Sequence, residues 1–251
     1  MLEIRGLVKR FGELTAVDRL DLTVAAGEIF GFLGPNGAGK TTTVKLITGL
    51  LKPDAGSVRV AGFDVAVQTL EAKRVLGLVP DEPFVYPKLT GAEYLRFIGE
   101  LYGVPLSEQR RRIPELLAMF ELSQWGGELL ESYSHGMRQK LVIAGILLHE
   151  PKALILDEPM VGLDPKSARM VKELLQTLAR RGTAIFMCTH ILEIAEKLCH
   201  RVGIMISGRL TALGTLDELR AQAKDGQGRG LEDVFLSLTG GHEYASLLKN
   251  L

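Results

Sequence analysis

Gly34-Pro35-Asn36-Gly37-Ala38-Gly39-Lys40-Thr41, followed by Thr42, fits the pattern GxxxxGK[ST] at every fixed position. An apolar run, Ile29-Phe30-Gly31-Phe32-Leu33, leads in as a buried strand, and a segment with Val44, Ile47 and Leu51 along one side leads out as a helix. Strand, glycine-rich loop and helix together are the context that makes the pattern meaningful. Glycines let backbone N–H groups turn inward around phosphate oxygens, and the helix start adds its unpaired donors and the positive end of its dipole. Lys40 is placed to reach the outer phosphates and the Thr41 hydroxyl to ligand Mg²⁺. A glycine-rich turn before an ordinary helix would not need Lys-Thr at its end. The stretch predicts binding of a nucleoside triphosphate.

The bulk properties narrow the setting. A chain of 251 residues, 46% hydrophobic and 24% charged, has the composition of a globular protein long enough to bury a sizeable core. Its 30 Lys plus Arg balance 30 Asp plus Glu, so no net field recruits nucleic acid or anionic lipid. Cys188 and Cys199 form no spaced framework, which suits a reducing cytosol. No apolar run approaches the roughly 20 residues that span a bilayer. Met1-Leu2-Glu3-Ile4-Arg5 reads as a first strand and not as a signal peptide.

Residues 2–8 and 18–24 alternate apolar and polar, with Leu22 and Val24 on one side and Asp21 and Thr23 on the other, as half-buried strands do. Short strands are predicted at 57–61 and 76–79, with a brief helix at 69–75. The character then changes to helices. Thr90-Gly91-Ala92-Glu93 is a capping-box signature, and Ser107 starts a further helix whose course Pro114 should bend or shift. Ser134 is the expected N-cap of a long apolar helix ending at Leu148. Arg110-Arg111-Arg112 reads as a solvated helix face, with a partner contact as the second meaning. Strand–helix alternation resumes at Ala153, with a two-strand unit about Ser207-Gly208, a capped helix after Thr215, linker composition over 224–230, and a tail with Val234, Phe235 and Leu238 on one helical face. The expected fold is α/β: a P-loop NTPase with a mainly parallel central sheet, an N-terminal antiparallel β portion and an inserted helical subdomain at about 88–149. The main domain is expected to cover 1–222, with a linker and helical extension over 223–251.

Leu154-Ile155-Leu156-Asp157-Glu158-Pro159 places two acids at the end of a buried strand. Asp157 can hold Mg²⁺ beside the phosphate loop, and Glu158 can polarise the water that attacks the terminal phosphate. With these motifs placed, the chain resembles the ATP-binding subunits of ABC transporters over about residues 2–222. The resemblance implies several further roles. Phe11 would stack on adenine, and a core aromatic is the alternative. His190, in Thr189-His190, would be the switch residue near the terminal phosphate and the catalytic water. Val161-Gly162-Leu163-Asp164 would be the loop that crosses to a dimer partner. Ser134 and Gly136, in Tyr133-Ser134-His135-Gly136-Met137, would cap the ATP of a facing subunit. His149, His200 and His242 have no ligand spacing and read as structural or solvated.

Two positions depart from the family pattern. His135 stands where a glycine is usual, which narrows the room for ATP or adds a donor. Asp81, in Val79-Pro80-Asp81-Glu82-Pro83, stands where the family has Gln, and would contact Mg²⁺ through water or at longer range. The Tyr-Ser-x-Gly-Met signature and the tail Leu231-Glu232-Asp233-Val234-Phe235 resemble the subfamily that serves type-2 export permeases. The resemblance therefore implies an ATPase that uses ATP and Mg²⁺, pairs head to tail with a second such subunit, and works with separate membrane permease subunits on the inner face of the cell membrane. Two alternatives are a soluble ABC-type ATPase of DNA repair or translation, which usually carries long coiled-coil insertions or two cassettes, and a regulatory module that binds nucleotide without hydrolysis.

Overall fold

The computed structural model describes residues 1–222 and 230–239. β1 (Leu2–Phe11) and β2 (Leu14–Val24) form an antiparallel hairpin, with Leu22 and Val24 buried and Asp21 and Thr23 exposed. β3 (Ile29–Leu33) leads through the glycine-rich loop into α1 (Lys40–Ile47). β4 (Ala55–Val60) returns to the free edge of β1, setting Val60 opposite Leu2, and β5 (Phe63–Asp64) completes a four-stranded sheet in the order β2-β1-β4-β5. After α2 (Thr69–Arg74) and β6 (Leu76–Val79) come three helices, α3 (Gly91–Leu101), α4 (Leu106–Met119) and α5 (His135–Leu148). Then β7 (Ala153–Asp157), α6 (Pro165–Arg180), β8 (Ala184–Cys188), α7 (Leu192–Leu198), β9 (Arg201–Ile206), β10 (Arg209–Gly214), α8 (Leu216–Gln222) and α9 (Leu231–Thr239) follow.

The second sheet has the order β10-β9-β3-β8-β7-β6, parallel throughout except for β10. Its central strands β3, β8 and β7 are buried along their whole length because both faces are covered. Ile29 and Leu33 of β3 enter one core with the helices, while Phe30 and Phe32 enter the other, beneath the antiparallel sheet and α1. Leu154 and Leu156 of β7 follow the first pattern and Ala153 and Ile155 the second. This is the expected P-loop NTPase architecture. Each parallel strand ends at the same edge of the sheet, and there the loops after β3, β6, β7 and β8 gather.

Several local expectations are corrected. The helix after the phosphate loop stops at Ile47: Thr48 caps it, Gly49 leaves at φ 68°, and Leu51 packs on the core from outside the helix. α4 begins at Leu106, one residue before Ser107, and continues on both sides of Pro114. The arginine triplet is not one solvated face. Arg111 pairs with Glu108 and Glu115, but Arg112 folds inward, donating to the Leu147 carbonyl at 2.9 Å and pairing with Glu150, which ties α4 to the end of α5. The capping box at Thr90 and the Ser134 cap form as read. α9 buries Leu231 and Val234 against α7 and α8 of its own chain. The linker reading falls outside the described residues except at Gly230, as do His242 and the Leu238 side chain.

Candidate active site

The phosphate loop is shaped as much by its neighbours as by its own turns. A Cβ on Gly34 would collide with the Met205 carbonyl, and one on Gly39, at φ 108°, would collide with the Ala16 carbonyl. β9 and β2 therefore press backbone against the loop from two sides, and only glycine fits between them. Gly208 clamps the arrangement: its N–H donates to the Ala38 carbonyl at 2.9 Å, and its carbonyl accepts from Asp18 N at 2.8 Å. The loop opens onto a cleft of about 410 Å³ lined by Phe11, Leu14, Thr15, Ala16, Asn36, Gly37, Gly39, Lys40, Thr41, Thr42, Ser207 and Gly208. Phe11 is 48% exposed at this cleft, so it is not a core aromatic. Lys9 lies over its ring, with Nζ 5.6 Å from the centroid.

Lys40 is buried, and its ammonium donates to the Gly34 carbonyl at 2.7 Å and the Pro35 carbonyl at 3.1 Å. That leaves one N–H of the ammonium to meet an anion at the loop. From the first turn of α1, the Thr41 hydroxyl donates to Asp157 Oδ2 at 3.3 Å. Asp157 ends β7 in register with Cys188 of β8 and is only 5% exposed. Burial pushes its carboxyl above the usual carboxylate range, the Thr41 hydroxyl draws it down, and the charges of Asp81 and Glu158 push it up further. A buried carboxylate beside a hydroxyl, with two more carboxylates acting on it, has the hard oxygen donors and the unmet negative charge that Mg²⁺ satisfies. The residues present fit the ion.

Glu158 follows at φ 50°, a left-handed conformation that is strained for a residue with a side chain. Its N–H bonds the Cys188 carbonyl at 3.0 Å, so the turn is anchored to β8. Both carboxylate oxygens are held from that same neighbouring strand end. Thr189 Oγ1 donates to Oε2 at 3.1 Å, and His190 Nδ1 lies 2.8 Å from Oε1. A carboxylate only accepts, so Nδ1 of His190 is the donor of this pair. The His190 side chain is 60% exposed while that of Glu158 is 13% exposed, so the imidazole forms an outer wall over a shielded carboxylate. Thr189 is itself fixed: it is 2% exposed, and its hydroxyl accepts from Ile191 N at 3.1 Å.

The motifs point to Asp157, Glu158 and His190 but not to Thr189, whose hydroxyl and position next to His190 are the only signal of its role in the sequence. Ser207-Gly208 is more than the turn of a two-strand unit, since it forms a wall of the cleft. Ser134 and Gly136 are not among the cleft's lining residues. Ser134 caps α5, accepting from Met137 N at 3.2 Å, and stands exposed. Asp81 is exposed in the turn after β6. His200 is structural, its Nδ1 accepting from Ile29 N at 2.9 Å. His149 stacks on Tyr102 with ring centroids 3.7 Å apart, and burial pushes its pKa down to about 4. No group of three or more metal-binding His, Cys, Asp or Glu occurs among the described residues. No described helix is long and apolar enough to cross a membrane.

The sequence model described as ABC transporter matches residues 17–161. The chain is 38% identical over 219 residues to the linearmycin resistance ATP-binding protein LnrL of Bacillus subtilis (strain 168), covering 87% of this chain and 70% of that one. It is 40% identical over 220 residues to the daunorubicin/doxorubicin resistance ATP-binding protein DrrA of Streptomyces peucetius, covering 88% and 67%. A solved ATP-binding subunit of an ABC transporter superposes with a TM-score of 0.91 at 34% identity, over 95% of this chain and 99% of that one. The dimeric post-hydrolysis state of the cassette MJ0796 bound to ADP and Pi superposes with a TM-score of 0.79 at 25% identity, over 86% and 99%.

Proposed function

This chain belongs to the ABC transporter family as an ATP-binding subunit with ATPase chemistry, and from that premise we propose that it hydrolyses Mg²⁺-ATP between two head-to-tail copies to drive export through a separate membrane permease. The observation that carries this reading is the carboxylate of Glu158, gripped on one oxygen by Thr189 and on the other by His190. A carboxylate so fixed keeps free lone pairs for the proton of an attacking water and cannot swing away from it.

The remaining residues divide the work. Backbone N–H groups of Gly37–Thr42 and the start of α1 bind and orient the phosphates, while Phe11 offers a ring for adenine at the open end of the cleft. Lys40 brings its charge to the bridging and terminal oxygens as negative charge shifts onto the leaving group. Thr41 and Asp157 are the chain's own ligands for Mg²⁺, with Asp81 acting at longer range, and the ion supplies neutralisation of phosphate charge. Glu158 takes the proton of the water, and the imidazole of His190, 2.8 Å from Oε1, keeps the carboxylate turned toward it.

Ser134 and Gly136 support the paired arrangement, since the exposed start of α5 offers N–H donors that its own cleft does not use. A permease contact is supported by an exposed aromatic ridge after β6. Phe84, 74% exposed, meets Tyr86 edge-on at 5.7 Å, and Tyr86 meets Phe97 at 5.4 Å. Exposed aromatic clusters of this kind mark protein contacts. The export direction rests on relatives named for drug resistance and on the Tyr133–Met137 signature. The test is Glu158→Gln: ATP binding should persist, turnover should fall by roughly a hundredfold or more, and an ATP-dependent dimer should accumulate on size exclusion. Wild-type turnover in that variant overturns the reading.

A further inference from the structure

His135 replaces the small residue expected beside Ser134, and the structure shows where its ring goes. A Cβ built on Gly162 would collide with His135 Cδ2 and lie 2.9 Å from Nε2. The imidazole edge therefore covers the side of Gly162 where any other residue would carry its side chain. The contact is mutual, because a Cβ on Gly136 would come within 2.8 Å of the Gly162 carbonyl. Gly162 stands at φ 76° in the segment that runs from Glu158 to Asp164, and Asp164 caps α6 by accepting from Ser167 N at 3.0 Å. The segment is pinned at one end by the Glu158 N–H on Cys188 and at the other by this cap. Between them, Val161 N on the Glu158 carbonyl at 3.1 Å and Leu163 N on the Met160 carbonyl at 3.3 Å turn it, so a push at Gly162 is passed along it toward Glu158.

We propose that His135 is a positioning residue, whose ring seated on Gly162 makes the start of α5 and the Glu158–Asp164 segment move as one body. The inference rests on the reading above, in which Glu158 serves the ATP of its own subunit while Ser134 faces the ATP of the other. His135 then ties the turn that meets one nucleotide to the segment that carries the catalytic acid for the second. A glycine at this position would remove the ring and leave only the Gly136 backbone against the Gly162 carbonyl, a looser link between the two. The imidazole neither reaches into its own cleft nor needs to touch nucleotide.

The test is a double-mutant cycle on the full-length chain with Gly162→Ala, His135→Ala and the pair, measuring kcat, KM, the Hill coefficient for ATP and the melting temperature. Gly162→Ala should lower kcat roughly tenfold, and in the His135→Ala background the same change should do only the smaller harm of an alanine at positive φ. His135→Ala alone should lower kcat several-fold with KM little changed, and bring the Hill coefficient toward one. An equal effect of Gly162→Ala in both backgrounds, or an unchanged Hill coefficient in His135→Ala, overturns the proposal. Should Gly162→Ala fail to fold, folding regained by adding His135→Ala supports the contact, and failure in both backgrounds overturns it. If the unaltered chain shows no ATPase activity, the functional reading itself falls; the melting temperatures of the four proteins still judge the packing, and additive losses there overturn it too.

Discussion

The phosphate loop and the turn at Ser134–Gly136 are both helix N-termini rich in small residues, yet one closes on its surroundings and the other does not. Around Gly34–Thr42, β2, β9 and the Ser207-Gly208 turn supply walls, an anchored lysine and an adjoining carboxylate. Around Ser134, the cap to Met137 is made, but the exposed face has no counterpart among the residues lining the cleft. Donors at a helix start are therefore not enough for a complete site, which needs further groups brought in from elsewhere. In the first region the chain brings them itself. In the second, the proposed source is another copy of the chain.

That contrast can be broken most forcefully by splitting the two halves between subunits. Lys40→Ala and Ser134→Arg should each lower turnover by roughly a hundredfold alone. An equal mixture should regain up to about a quarter of the original activity, because half of the pairs are mixed and each mixed pair holds one intact site, with coupling between the sites lowering that fraction. No recovery on mixing, with both proteins folded, would mean that the Ser134 turn does not complete the neighbour's site.

A smaller effect sharpens the account of the self-contained half. Thr189→Val keeps the size of the side chain but removes the donor to Glu158 Oε2. It should lower kcat by about tenfold with KM unchanged, while Thr189→Ser restores most of the rate. An equal loss in both variants would show that packing, and not the hydroxyl, is what matters there.

An effect on stability and not on rate lies at the far end of the helix that Ser134 begins, where His149 stacks on Tyr102. Its pKa is held down at about 4 in the folded chain, against about 6.5 in an unfolded one. As pH falls below the unfolded value, the unfolded chain takes a proton that the folded chain refuses, so stability falls between roughly pH 6.5 and pH 4. From pH 7 to pH 5 this one group removes about 2 kcal/mol. His149→Phe keeps a ring against Tyr102 and should flatten that acid-side loss in urea melts. An unchanged slope would mean that His149 is already protonated in the folded chain.

Much of the site was legible because its residues are consecutive. Gly34–Thr42, Asp157-Glu158 and Thr189-His190 each sit at the end of a parallel strand, and a parallel sheet delivers strand ends to one edge. The arginine triplet was misread for the complementary reason. Adjacent residues on a helix point in different directions, and only the position of α5 decides that Arg112 turns inward to Leu147 while Arg111 stays with Glu108 and Glu115. The first helix was read too long because Leu51 is apolar at a helical spacing, although Gly49 had already turned the chain.

Residue type and spacing were enough for the phosphate loop, the paired acids, the alternation that makes a doubly covered parallel sheet, and the caps at Thr90 and Ser134. Each is a local matter of residue type and spacing, where backbone conformation and hydrogen bonding depend on near neighbours. The tertiary structure alone decided what touches across long separations. Thr189 grips Glu158, Met205 and Ala16 force glycine into the phosphate loop, and His135 comes to rest on Gly162. Such contacts depend on the packing of whole strands and helices, which no short stretch of sequence contains.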